Sequence, residues 1–219
     1  MSIPGQLNLE RIARTALAIA DSDGFAAVSM RRVAHELGVG TMSLYYYVKT
    51  KAELIAAMDD ALMGEVVVPT LPTDWRKALT AIARHTRDVF IRHPWALWSM
   101  QSAPPGVNAM RHMEQCLQAL AQTGMTTEQK LTLLALIDDF VFGYTLRETA
   151  GDPVVDTDAA KELLAAGAFS ELKKAFGKER KLFIPDRFEL GLEAILRQAS
   201  DRNLMAAPRR QKRRHNSGK

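Results

Sequence analysis

The chain has 219 residues, enough for one large domain or for a small and a medium one. Apolar residues make up 47% and charged residues 25%, which excludes a disordered chain and describes a soluble, globular one; sparse aromatics and modest Gly and Pro favour helices over a sandwich or barrel. The net charge of +4 is smaller than the six cations carried between Pro208 and Lys219, so the basic pI belongs to that tail and is no argument for nucleic acid by itself.

Helical periodicity dominates from the start. Leu9, Ile12, Ala13, Ala16 and Ile19 predict a helix over 9–20, ended by Asp21-Ser22-Asp23-Gly24. Two short helices follow, one on either side of Gly38. Thr50-Lys51-Ala52-Glu53 has the form of a capping box, in which Thr50 and Glu53 each satisfy an orphan N–H at the start of a helix reaching Val66. Two prolines in 66–73 mark a boundary. Asp74 is a plausible N-cap for a helix running to His93, where Pro94 interrupts it. A short helix is expected over 95–103, another over 107–123, and a long one from the Thr126-x-x-Gln129 box to Ala150. Two more are expected over 158–176 and 186–203. The division that results is 1–66, 67–206 and a basic, disordered tail at 207–219.

The informative stretch is 29–51. Ser29 is a good N-cap, Val33 and Leu37 face one way, and Gly38 sits where a left-handed residue turns the chain sharply. In the next helix Leu44 and Val48 continue the apolar seam. Tyr45, Tyr46 and Tyr47 span about two hundred degrees of the helix circumference, so they cannot all be core. A short helix showing Thr, Met, Ser and Tyr outward, held by a tight turn to a partner helix, fits a recognition helix in a major groove. Hydroxyls bond phosphates, while methyls and rings meet thymine methyls and base edges. Arg31 and Arg32 lie in the first turn of the preceding helix, and Lys51 opens the next. The competing reading is a plain helical hairpin with surface tyrosines.

This stretch, LGVGTMSLYYYVKTKAEL over 37–54 with GFAAVSMRRVA upstream, resembles the TetR family of transcriptional regulators. Arg92-His93-Pro94-Trp95, Pro105-Gly106-x-Asn108 and Phe188-Glu189-x-Gly191-Leu192 are similar to landmarks of the tetracycline-repressor-type C-terminal domain. Tyr47 and Val48 depart from the residues frequent there, His and Phe, which leaves the operator unpredicted. The resemblance implies an all-α protein: a three-helix helix-turn-helix domain followed by a larger helical ligand-binding and dimerisation domain. It implies base or near-base contacts from Arg31, Thr41, Met42, Tyr45, Tyr46 and Tyr47, and phosphate contacts from Ser43 and Lys51. Its expected partners are double-stranded palindromic operator DNA, a second copy of the chain and a small-molecule effector that releases the repressor.

The C-terminal region adds its own hints. Residues 131–146 are apolar on nearly every side, so burial all round is expected. With Gly143, Gly191 and the stripe Phe188, Leu192, Ile195 and Ala199, they nominate two helices for a dimer bundle, or for a core within one chain. Trp95, Trp98, Met100, Met110, Met113, Cys116, Phe140 and Phe142 are cavity candidates or ordinary core. Asp138 and Asp139, inside the apolar helix, either bind a cationic effector or a metal, or pair with an arginine or look outward at a helix crossing. One cysteine excludes an intrachain disulfide and a Cys-based zinc site, and no metal or cofactor is expected. No secretory signal or membrane-spanning run is visible, which suits a bacterial cytoplasmic protein. The alternatives are an all-helical enzyme, for which no nucleophile–base motif appears, and an architectural protein that coats DNA without sequence choice.

Overall fold

A computed structural model describes residues 7–99, 105–150, 162, 167, 169–175 and 187–199. Its elements are α1 (Leu9–Asp23), a 3-10 turn (Phe25–Ala27), α2 (Met30–Glu36), α3 (Thr41–Leu44), α4 (Lys51–Val66), α5 (Trp75–Arg92), α6 (Ala96–Ser99), α7 (Val107–Ala119), α8 (Thr127–Thr149), α9 (Ser170–Ala175) and α10 (Arg187–Gln198). No strand occurs among the described residues. The tail at 207–219, most of the helix expected over 158–176 and the far end of the last helix lie outside them.

Local chemistry sets the helix starts. Asn8, Ser29, Thr50, Asp74 and Thr126 each accept a hydrogen bond from the backbone N–H three residues on, at 2.8–3.2 Å. The Thr126 box is complete, because Gln129 Oε1 accepts the Thr126 N–H at 2.9 Å. The Thr50 box differs from expectation: Glu53 Oε2 accepts from Lys49 N–H (2.6 Å) instead of from the N-cap residue. α1 also outruns its expected end by three residues. The Asp21 carboxylate is held by tertiary partners and Ser22 bonds back to Ile19, so the helix persists until Gly24, whose φ of +85° stops it.

Two apolar clusters form the core. The first joins α1, α2, α3 and α4 to Val89 and Phe90 of α5 and to Ala96 and Leu97 of α6. The second gathers the first half of α5, the end of α7, α8 and α10. The first cluster therefore crosses the expected boundary at residue 66, and α4 belongs to both regions. α8 is not buried all round. Leu133, Leu134, Ile137, Val141 and Thr145 face inward, while Leu131 and Leu136 are exposed on the other side.

Candidate functional site

The α2–α3 pair is closed by a Schellman turn. Gly38, at φ +67°, donates to His35 O (3.1 Å), and Val39 donates to Ala34 O (3.0 Å) while packing against the first core. α3 is a single turn, and its trailing residues stay coiled through Tyr47 N–H to Leu44 O and Val48 N–H to Leu44 O, both 2.9 Å. Leu44 and Val48 are buried and anchor it. The opposite face is open: Met42 is 74% and Tyr46 82% exposed, with Tyr45 and Tyr47 also exposed. Thr41 and Ser43 are half-buried beside them, and Arg31 and Lys51 are exposed on the adjoining helices. All eight residues expected to meet DNA thus share one region around α3. Arg32, by contrast, is held by Asp23 (3.0 Å) and Glu36 (3.6 Å).

Contacts at two of the motifs quoted above tie this head to the rest of the chain, and the third motif joins α5 to α10. Asp21 Oδ1, at the end of α1, accepts from Trp95 Nε1 and lies 2.8 Å from His93 Nδ1, while Phe25 stacks on Trp95 at 5.7 Å. Arg92 bonds Glu65 at 2.8 Å. Burial pushes the Glu65 carboxyl up, but Arg92 and His93 outweigh it and leave the group below its ordinary range. At the Pro-Gly-x-Asn motif, Asp60 Oδ1 on α4 accepts the Asn108 N–H (2.8 Å), and Asn108 Nδ2 donates to Asp60 O (2.9 Å). Asp60 so acts as an N-cap for α7 supplied by another helix, and a Cβ on Gly106 would stand 2.1 Å from its Oδ1. In the Phe-Glu-x-Gly motif, Glu189 takes a bidentate pair from Arg84 at 2.7 Å, and Gly191 lets the Phe140 ring approach to 2.5 Å of where its Cβ would be.

Beside the α4–α7 contact lies a cavity of about 300 Å³. α4 contributes Asp59, Asp60 and Met63; α5 contributes Thr86 and Phe90; the start of α7 contributes Pro105, Gly106, Ala109 and His112; α8 contributes Asp138, Val141 and Phe142. Asp59 is 4% exposed; its Oδ1 accepts from Ser99 Oγ (3.3 Å) and its Oδ2 has no partner among the described residues. Burial, only partly offset by Ser99, pushes its carboxyl up to about 6. Asp138 sits on the water-accessible side, and crowding by protein, with Asp139 adding repulsion, also raises it. Burial lowers His112, which lies near Gln115 (3.3 Å) and Cys116 (3.9 Å). The Cys116 thiol is pushed to about 12, chiefly by burial and further by Asp138.

Among the described residues, those expected at a cavity lie elsewhere, apart from Phe142. Trp95 is committed to Asp21 and Phe25, Trp98 is 67% exposed, and Met110 and Met113 face out from α7. Cys116 belongs to the second core, Phe140 packs on Phe188 and Tyr144, and Met100 is outside the described residues. Asp138 and Asp139 make no ion pair among the described residues, and both are exposed on α8, as the outward-looking alternative has it. The residues expected at a dimer face also divide. Phe188 and Leu192 are 3% and 1% exposed within the single chain, so they are core and present no surface to a second copy. Gly191 meets Phe140, Ile195 is half-buried in the second cluster, and only Gly143 has nothing within 4 Å of its Cβ position. The sequence reading missed Asp59 and Asp60. Their signal was present, since Met58-Asp59-Asp60-Ala61 repeats the pattern of two acids inside an apolar helix that drew attention to Asp138 and Asp139.

Comparisons with known proteins place these features. Residues 12–58 match the sequence model of bacterial regulatory proteins of the tetR family, and residues 68–197 match that of the tetracyclin repressor-like C-terminal domain. Over 140 residues, 63% of this chain, it is 43% identical to the HTH-type transcriptional repressor DrrR1 of Streptomyces coeruleorubidus, of which the matched segment spans 52%. It is 32% identical over 145 residues to an HTH-type transcriptional regulator of Saccharopolyspora erythraea, spanning 61% of it. The apo structure of ActR from Streptomyces coelicolor superposes with a TM-score of 0.76 at 32% identity, covering 91% of this chain and 97% of that one. ActR in complex with actinorhodin superposes at 0.70.

Proposed function

We propose that this chain, which belongs to the TetR family of DNA-binding transcriptional repressors and carries a tetracycline-repressor-like C-terminal domain, binds a two-fold symmetric operator as a homodimer and releases it when a small molecule fills the cavity between α4, α5, α7 and α8. One observation carries the reading: α4 serves both sites. Its first turn holds the strand of chain that leaves α3, through Glu53 and Lys49. Its middle contributes Asp59, Asp60 and Met63 to the cavity. From Thr50 to Met63 the helix runs about 20 Å, so a small tilt at the cavity becomes a larger displacement of the head.

The outward sides of α8 and α10 support the dimer. Leu131, Leu136 and Leu190 are exposed in the single chain, next to exposed Ala135, Ala194 and Gly143. Pairing two such faces buries apolar surface, and small residues let the helices come close. The Phe188 side of α10 is the support beneath that face. ActR, solved with actinorhodin, supports a small-molecule effector for this chain. An effector releases DNA only if it binds the DNA-incompetent arrangement more tightly than the competent one.

Asp59, Asp138 and His112 do converge in the cavity, as an enzyme would require; family membership favours recognition over catalysis. Selection from random DNA duplexes tests the proposal. It should return palindromes with half-sites about 34–36 Å apart or a small multiple. Arg31→Ala should relax preference within that palindrome. Uniform weakening on all duplexes would favour sequence-blind coating instead.

A further inference from the structure

We infer that the cavity selects a cationic, largely apolar ligand, an amine whose ammonium docks on the Asp59 carboxylate and whose hydrocarbon body lies against Phe90 and Phe142. This rests on the reading of the cavity as the effector site. Three observations lead to it. First, Asp59 Oδ2 is buried in the wall and meets no hydrogen-bond donor among the described residues. Buried polar atoms are almost always partnered, and an orphan at a cavity wall points to a donor that arrives with a ligand.

Second, the lining has one sign. Among the described residues it holds three carboxylates, Asp59, Asp60 and Asp138, and neither lysine nor arginine. Asp60 is engaged by Asn108, and the Thr86 hydroxyl donates to Ile82 O (2.9 Å). His112 is directed to Gln115 and Cys116, and burial disfavours its charged form. The polar capacity left over is acceptor capacity, so a carboxylate or phosphate ligand would meet repulsion. Third, the remaining walls are Met63, Phe90, Val141 and Phe142, apolar and partly aromatic. Ring faces attract a cation, and a cavity of about 300 Å³ admits a two-ring body.

Binding of naphthylethylamine and of its neutral counterpart naphthylethanol, measured by calorimetry at neutral pH on the full chain, tests the inference. The amine should bind about ten- to a hundredfold more tightly, the range of one charge-assisted hydrogen bond. Asp59→Asn should bring the amine down to the level of the alcohol while leaving the alcohol unchanged, with a cooperative circular-dichroism melt as the check on folding. Asp138→Asn, at the accessible side, should weaken the amine in the same direction by less, and gives the charge readout if Asp59→Asn does not fold. Ala109→Phe fills the cavity and should abolish binding of both. If both probes bind equally and Ala109→Phe removes both, the cavity stands as the site and the preference for a cation is wrong. If Ala109→Phe changes neither, the cavity is not the site, and both readings fall. A wild-type chain that binds neither probe also overturns the inference.

Discussion

Gly106→Ser should change the sign of its effect when Asp60 is removed. In the wild-type chain a Cβ at position 106 would stand 2.1, 2.3 and 2.7 Å from Oδ1, Cγ and Cβ of Asp60. That side chain cannot yield freely, because Oδ1 caps the Asn108 N–H. Overpacking together with disturbance of the cap should cost about 1–3 kcal/mol. Asp60→Gly loses the cap, about 0.5–2 kcal/mol, and adds about 1 kcal/mol of lost helix propensity in α4. It also clears all three clashing atoms. A serine at 106, the N-cap position of α7, can then bond the orphan N–H itself, so the double variant should be more stable than Asp60→Gly alone by about 1 kcal/mol. Urea or thermal unfolding at one fixed protein concentration reads the cycle, since assembly shifts apparent stability. The coupling should come to about 2–4 kcal/mol, at the upper end of what neighbouring residues show. Equal destabilisation by Gly106→Ser in both backgrounds would refute the assignment of Asp60 as the cap of α7.

Gly38→Ala should destabilise by about 1–2 kcal/mol, seen as a melting temperature lowered by about 2–8 °C, because nothing crowds the new Cβ and only the left-handed φ is penalised; Gly38→Asn should lose less. Tyr46→Ala should stay within about 0.5 kcal/mol of wild-type stability yet weaken operator binding about tenfold, checked by unfolding and fluorescence anisotropy on the same sample. Asp59→Asn should raise the melting temperature at neutral pH. The native chain keeps its Asp59 proton up to about 6 while the unfolded chain releases it near 3.8, so wild-type stability falls as pH climbs between those values. The advantage of the variant should therefore shrink toward zero near pH 4 (about the unfolded value) in a series of melts.

Much of the head was legible because its signals are local. Ser29, Gly38, Thr50 and the Leu44–Val48 seam each act within four residues, and the structure uses each of them. The cavity was not legible in that way. Its lining comes from four helices, and whether a Met or Trp faces a void or a neighbour depends on packing that sequence spacing does not encode. Trp95 illustrates the limit: an indole that suited an apolar pocket is fixed instead by Asp21, 74 residues away. The apolar face of α10 misled for the opposite reason. Phe188 and Leu192 do form a stripe, but α5 and α8 of the same chain cover it, and the stripe alone does not identify its partner. The paired acids were the better guide. Charge inside an apolar helix is costly enough to need a reason, and both Asp59-Asp60 and Asp138-Asp139 lie at or beside the cavity.

The claim beneath the functional account is that α4 couples the cavity to the DNA head. Reciprocal titration tests it most directly: operator affinity measured with and without a saturating cavity ligand, and ligand affinity measured with and without a saturating operator. The account predicts weakening by the same factor in both directions, as linkage requires. A ternary complex in which both affinities equal their separate values would contradict it.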